Sequence, residues 1–131
     1  LIPDEAGEWL AVSDKYNLDR VFLAAPTSSA ERVARACELS RGFIYAVSTM
    51  GITGTRDSVD DLAKQVVAAV RVADAEQNTA VGIGISSAAQ VADVNSYADG
   101  AIVGSAFVRA YTDGGLAGLT AKVQELSANL K

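Results

Sequence analysis

The chain has 131 residues, 50% of them hydrophobic, and a net charge of −5 from 11 basic and 16 acidic side chains. That length suits one domain, burying roughly two-thirds of its unfolded surface, and the composition excludes disorder. The acidic balance excludes sequence-independent nucleic-acid binding, and no apolar run approaches membrane-spanning length. The only cysteine, Cys37, leaves no internal disulfide framework and fits a reducing cytoplasm. The start, Leu1-Ile2-Pro3-Asp4-Glu5, has no basic region of a signal peptide and no methionine, so the chain is expected to be cut from something longer.

Pro3-Asp4-Glu5 reads as the first turn of a helix reaching Tyr16, with proline early and acids at the positive end of the dipole. Arg20 to Pro26 is an apolar strand stopped by proline. Ser28 with Glu31 offers a capping box for a helix that runs to Ser40, with Val33, Ala36, Cys37 and Leu39 facing the core. Gly42 to Ser48 is the next strand, Thr49 to Ser58 a loop, and Val59 to Ala73 a helix with Leu62, Val66, Val67 and Val70 on one face. Thr79 to Ile85 is a third strand, and Ser87 with Gln90 is a second capping box. Asp99 to Gly104 is a fourth strand, and the remainder is helical apart from a break at Gly114-Gly115. Trp9 and Cys37 are expected to pack, Met50 to anchor its loop, and Lys122 and Glu125 to form a solvated face.

A helix followed by four strand–helix units implies a parallel sheet covered by helices, in one undivided α/β segment. Two architectures fit this order. One is a small open doubly wound sheet. The other is half of a (β/α)8 barrel, a fold that takes about 250 residues when complete.

Three strand ends carry glycines: Gly51-Ile52-Thr53-Gly54, Gly82-Ile83-Gly84-Ile85-Ser86 and Val103-Gly104-Ser105. Glycine there lets the backbone approach a ligand, and amides at a helix start favour phosphate by about 0.3–1 kcal/mol per terminus. One such glycine is a turn residue more often than a ligand contact. Consecutive strand ends of this form, with Gly54, favour phosphate. No Lys or Arg lies in either of the last two segments, so the grip is expected to come from amides, with the Ser105 hydroxyl as a further donor.

The chemistry around that grip is sparse. Histidine is absent. Asp4, Glu5, Glu8, Glu31, Asp60, Asp61 and Glu125 lie where helices face water, and Asp19 and Asp99 precede strands. Only Asp57 falls in a loop after a strand. No general acid or base is expected at a strand's C-terminal end, and no metal site is expected. Tyr45, within its strand, can orient a substrate or serve as a core aromatic with a wet tip.

Phe22-Leu23-Ala24-Ala25-Pro26-Thr27-Ser28, Gly42-Phe43-Ile44-Tyr45-Ala46-Val47-Ser48, Gly51-Ile52-Thr53-Gly54, Val81-Gly82-Ile83-Gly84-Ile85-Ser86 and Asp99 to Ala106 occur in that order and spacing. Together they resemble the C-terminal half of the tryptophan synthase α subunit family, over essentially the whole chain. The resemblance implies strands five to eight of a TIM barrel, with the N-terminal half absent. It implies a lyase that cleaves indole-3-glycerol phosphate to indole and glyceraldehyde 3-phosphate in tryptophan biosynthesis. The partner it implies is a β subunit that carries pyridoxal phosphate, within a heterotetramer. No cofactor is implied for this chain itself.

On that resemblance Gly54, Gly84, Gly104 and Ser105 match the phosphate grip, and Tyr45 lines the indole-glycerol pocket. Thr49 to Ser58 matches a mobile loop, with Thr53 its polar contact to a catalytic aspartate. Thr49 stands where family members commonly carry arginine. The family's catalytic glutamate and aspartate belong to the other half, so this segment alone is expected to be inactive. Two other readings stay open. One is a non-catalytic, self-associating phosphate-binding half barrel. The other is a different phosphate-binding barrel isomerase or epimerase, against which the Gly-Ile-Thr-Gly loop speaks.

Overall fold

The computed structural model describes residues 2–47, 56–82 and 84–128. Pro3–Glu5 forms a 3-10 turn that leads into α1 (Gly7–Lys15). Helix α1 ends where Asn17 takes a φ of 51° and Leu18 N donates to Ser13 O at 2.8 Å. Four strand–helix units follow: β1 (Leu23–Ala24) and α2 (Ala30–Leu39), β2 (Ile44–Val47) and α3 (Arg56–Ala73), β3 (Thr79–Gly82) and α4 (Ala88–Val94), β4 (Gly100–Ala101) and α5 (Ser105–Ser127). The strands are shorter than the apolar runs that mark them. Arg41 N→Arg20 O (2.8 Å), Tyr45 N→Phe22 O (3.0 Å) and Ile102 N→Val81 O (2.8 Å) carry the pairing past their formal ends.

All neighbours pair parallel, and the order is β1-β2-β3-β4. This order decides between the two architectures. A doubly wound sheet reverses direction at a switch point and takes helices on both faces. Right-handed crossovers that always step the same way keep every helix on one side, as in a barrel. One row, Ala24-Ala46-Val81-Ala101, and the neighbouring pair Ile44-Thr79 turn toward the helices. Ala24, Ala46, Val81, Ile44 and Thr79 are all fully buried there. Val67 and Val70 of α3 and Val94 of α4 complete this layer, each burial contributing about 1.5–3 kcal/mol. The opposite row, Leu23-Tyr45-Ala80-Gly100, is uncovered enough to leave Leu23 54% exposed.

Several local expectations shift. The cap of α2 is Ser29, whose Oγ accepts from Arg32 N at 3.4 Å, and not Ser28. Ser28 is drawn into the turn after β1, where its N donates to Ala25 O (2.9 Å) and its Oγ accepts from Ala25 N (3.1 Å). Glu31's own amide and the Ser29 hydroxyl hold its carboxyl below the usual range. Helix α3 begins at Arg56, so Asp57 is helical and not in a loop. Leu62 is only half-buried, and Ala63 joins Val66, Val67 and Val70 in the core. Trp9 does not pack as expected. It is 39% exposed, on one face of α1 with Val12 and Tyr16. Cys37 is core, its thiol pushed up by desolvation and by the nearby Asp74 charge.

At the strands' N-terminal end, Arg20 fastens α1 to the sheet. It is only 7% exposed and donates to Leu39 O (3.1 Å), Ser13 Oγ (3.0 Å) and Asp14 Oδ1 (2.7 Å). Arg41 meets the same Asp14 oxygen at 2.7 Å. At this end too, Asp99 Oδ2 accepts from Thr79 N at 2.8 Å, which ties β4 to β3 and gives that carboxylate a structural task.

Candidate functional site

The C-terminal ends of β3 and β4 open into a cavity of about 400 Å³ whose lining includes Gly84, Ser86, Ser105, Arg109, Asp113 and Lys122. Gly84 has a φ of 71°, a conformation that the missing Cβ makes affordable. Its neighbours Ser86 and Ser87 both donate their amides to Gln90 Oε1, at 2.8 and 3.0 Å. Ser87 Oγ in return accepts from Gln90 N at 3.3 Å, so the expected capping box closes the start of α4.

The start of α5 is different. Its N-cap is Gly104, with a φ of −117° and no side-chain cap. Phe107 N and Val108 N turn back to Gly104 O, at 3.0 and 3.2 Å. The amides of Ser105 and Ala106 precede them at the positive end of the helix, with no side-chain cap among the described residues to accept from them. A Cβ built on Gly104 would meet nothing within 4 Å, so the fold leaves space above this backbone. Amides with no cap beside empty space are what a phosphate group requires.

Helix α5 bends to complete the cavity. Gly115 leaves helical geometry, with φ 58° and ψ −151°, inside the expected Gly114-Gly115 break. Gly118 lies so close to the preceding turn that a Cβ there would sit 2.5 Å from Ala110 O. The fold-back brings Lys122 to the cavity, with its side chain 23% exposed and ion-paired to Glu125 at 2.9 Å. The expected solvated face is therefore also a cavity wall. Lys122 and Arg109 are cations that the strand-end segments did not reveal, because both come from later turns of α5. The i, i+4 spacing of Ser105 and Arg109 was the signal available for one of them.

Tyr45 is not part of this lining. Its ring lies across Gly82 of β3, where a Cβ would collide with the ring and hydroxyl, so Gly82 gives Tyr45 its place on the uncovered sheet face. Thr53 and Gly54, with Ser48 to Thr55 as a whole, lie outside the described residues. Among the described residues, no group of three or more His, Cys, Asp or Glu side chains could hold a metal ion. No helix among them is long and apolar enough to cross a membrane.

The family model for the tryptophan synthase alpha chain matches residues 1–131. The chain belongs to the tryptophan synthase α chain family. The α chain of Mycobacterium avium (strain 104) is 52% identical over 132 residues, covering all of this chain and 48% of the relative. That of Leifsonia xyli is 59% identical over 117 residues, covering 89% and 44%. The aminoacrylate-bound tryptophan synthase from M. tuberculosis superposes with a TM-score of 0.85 at 44% identity, over 100% of this chain and 48% of that one. The chain thus spans about half the length of the curated relatives it matches. Its four βα units are the C-terminal half of the α chain's TIM barrel.

Proposed function

We propose that this chain is the phosphate-binding half of an α subunit that cleaves indole-3-glycerol phosphate to indole and glyceraldehyde 3-phosphate, a cytoplasmic step of tryptophan biosynthesis. The observation that carries the proposal is the uncapped start of α5 at Gly104-Ser105, open beside Gly84 in one cavity. Those amides and the Ser105 hydroxyl grip the substrate phosphate, joined by Gly54. Tyr45 orients the indole-glycerol end from the sheet face, and Thr53 belongs to the loop that closes over it. Indole then passes to a β subunit that carries the pyridoxal phosphate. A similar fold, at TM-score 0.76 and 29% identity, occurs in the tryptophan synthase a2b2 complex of Pyrococcus furiosus, which supports a β-subunit partner.

The carboxylates for carbon–carbon cleavage belong to a second half. Three surfaces support its existence. One is the sheet face around Leu23; a second is the Trp9, Val12 and Tyr16 face of α1; the third is Val108 and Tyr111 on α5, and all these side chains are exposed. A closing half barrel would cover apolar area of this kind and pair the free edges of β1 and β4. Co-expression with the N-terminal half of an α chain is expected to give a soluble complex that releases indole from indole-3-glycerol phosphate, while this chain alone releases none. A soluble assembled complex without turnover would instead favour a non-catalytic, self-associating phosphate-binding half barrel.

A further inference from the structure

Among the cations of the cavity, Arg109 and Lys122 are not equivalent. Lys122 Nζ is held by both carboxylate oxygens of Glu125, each at 2.9 Å. Arg109 is exposed and has no hydrogen-bond or ion-pair partner among the described residues. It stands four residues after Ser105, and so on the same face of α5. Arg109 lines the same cavity as Ser105 and Ala106, and helical side chains lean toward the N-terminus of their helix, which is the direction of those amides. A guanidinium is a planar fork of donors that matches two phosphate oxygens at once. Asp113, four residues further on, lines the same cavity with the opposite charge and forms no ion pair with Arg109.

From these placements we propose that Arg109 is a phosphate-binding residue of this site, closing over the anion that the α5 amides hold, and that Asp113 weakens that grip by its charge. The proposal rests on the reading of the cavity as the phosphate site and adds a specificity element to it. A side-chain cation makes the site prefer a doubly charged phosphate ester over a neutral or singly charged group of similar size. Amides alone discriminate less by charge, because each carries only a partial positive charge.

The test uses the complete barrel, this chain together with its N-terminal half, titrated with inorganic phosphate and with glyceraldehyde 3-phosphate by calorimetry at low and high salt. Arg109→Gln is expected to weaken both ligands about two- to fivefold at low salt, the range for an exposed charge pair. The loss should shrink as salt rises. KM for indole-3-glycerol phosphate should rise with kcat unchanged. Arg109→Lys should recover only part of the affinity, and Asp113→Asn should tighten phosphate binding. Indole, which is uncharged, should bind all variants alike. Wild-type phosphate affinity in Arg109→Gln would overturn the proposal and leave the phosphate site standing. So would an equal loss of indole affinity, which would mark Arg109 as structural. If the folded wild-type barrel bound no phosphate at all, the reading of the cavity and this proposal would fall together.

Discussion

Both β3 and β4 lead through a glycine and a serine into a helix, yet only the second helix starts without a side-chain cap. At the end of β3, Gln90 turns back and accepts from Ser86 N and Ser87 N. Of the glycines there, Gly82 lies beneath the Tyr45 ring, while Gly84 takes a φ of 71° and also lines the cavity. At the end of β4 no side chain caps α5, and Gly104 has neither a positive φ nor a neighbour that a Cβ would strike. Gly104 serves as the N-cap of α5 with open space above its backbone, and on the proposed reading that is the space a phosphate group would use. A glycine at a strand end is thus ambiguous by itself, and what becomes of the amides after it tells the two cases apart.

That contrast can be broken in four places, from the largest expected effect to the smallest. Gly118→Ala sets a Cβ against the Ala110 carbonyl oxygen at 2.5 Å, so backbone has to move. It is expected to cost about 1–3 kcal/mol in chemical denaturation of the complete barrel. An unchanged midpoint would mean that the fold-back of α5 does not depend on this close approach. Gly104→Val is expected to cost up to about 1 kcal/mol, as valine is a poor N-cap, and to weaken phosphate binding at least about tenfold, as backbone approach is blocked. Unchanged affinity by calorimetry would make Gly104 only a turn residue.

Gly84→Ala should do the reverse, lowering stability by about 1 kcal/mol through its positive φ. A Gly84→Ala barrel as stable as wild type would erase the distinction between the two strand ends. Gln90→Ala removes the reciprocal half of the α4 capping box, the acceptor of Ser86 N and Ser87 N, and should cost somewhat under 1 kcal/mol, seen as a small drop in melting temperature. Phosphate affinity at α5 should stay as it was. A large loss of affinity would show that the closed cap of α4 also shapes the ligand site.

How much of this was legible in the sequence varied with the range of the interaction concerned. The buried face of α2, with Val33, Ala36, Cys37 and Leu39, follows from helical periodicity. The Ser87–Gln90 box was readable because both partners lie within one turn. Ser28 reads as the cap because Glu31 follows it by three residues, whereas Ser29 is followed at that spacing by Arg32. The turn at Ala25, a contact outside the helix, is what removes Ser28 from the role. Trp9 was expected to pack because a large aromatic on a helix usually does, but no described element covers it fully. For the site, Gly84, Gly104 and Ser105 were readable as glycine and serine at strand ends. Arg109 and Lys122 were not, since neither lies in a strand-end segment.

The sequence by itself determined four apolar strands alternating with helices, and the family. Each of these depends on neighbours a few residues apart or on a motif read in order. The tertiary structure decided that the strands run β1-β2-β3-β4 with their helices on one side, which makes the sheet half a barrel and not a doubly wound fold. It also decided which helix start lacks a side-chain cap and which cations line the cavity beside it. Strand order, side-chain caps and the fold-back at Gly115 and Gly118 are set by packing between distant segments, and no local pattern fixes such packing.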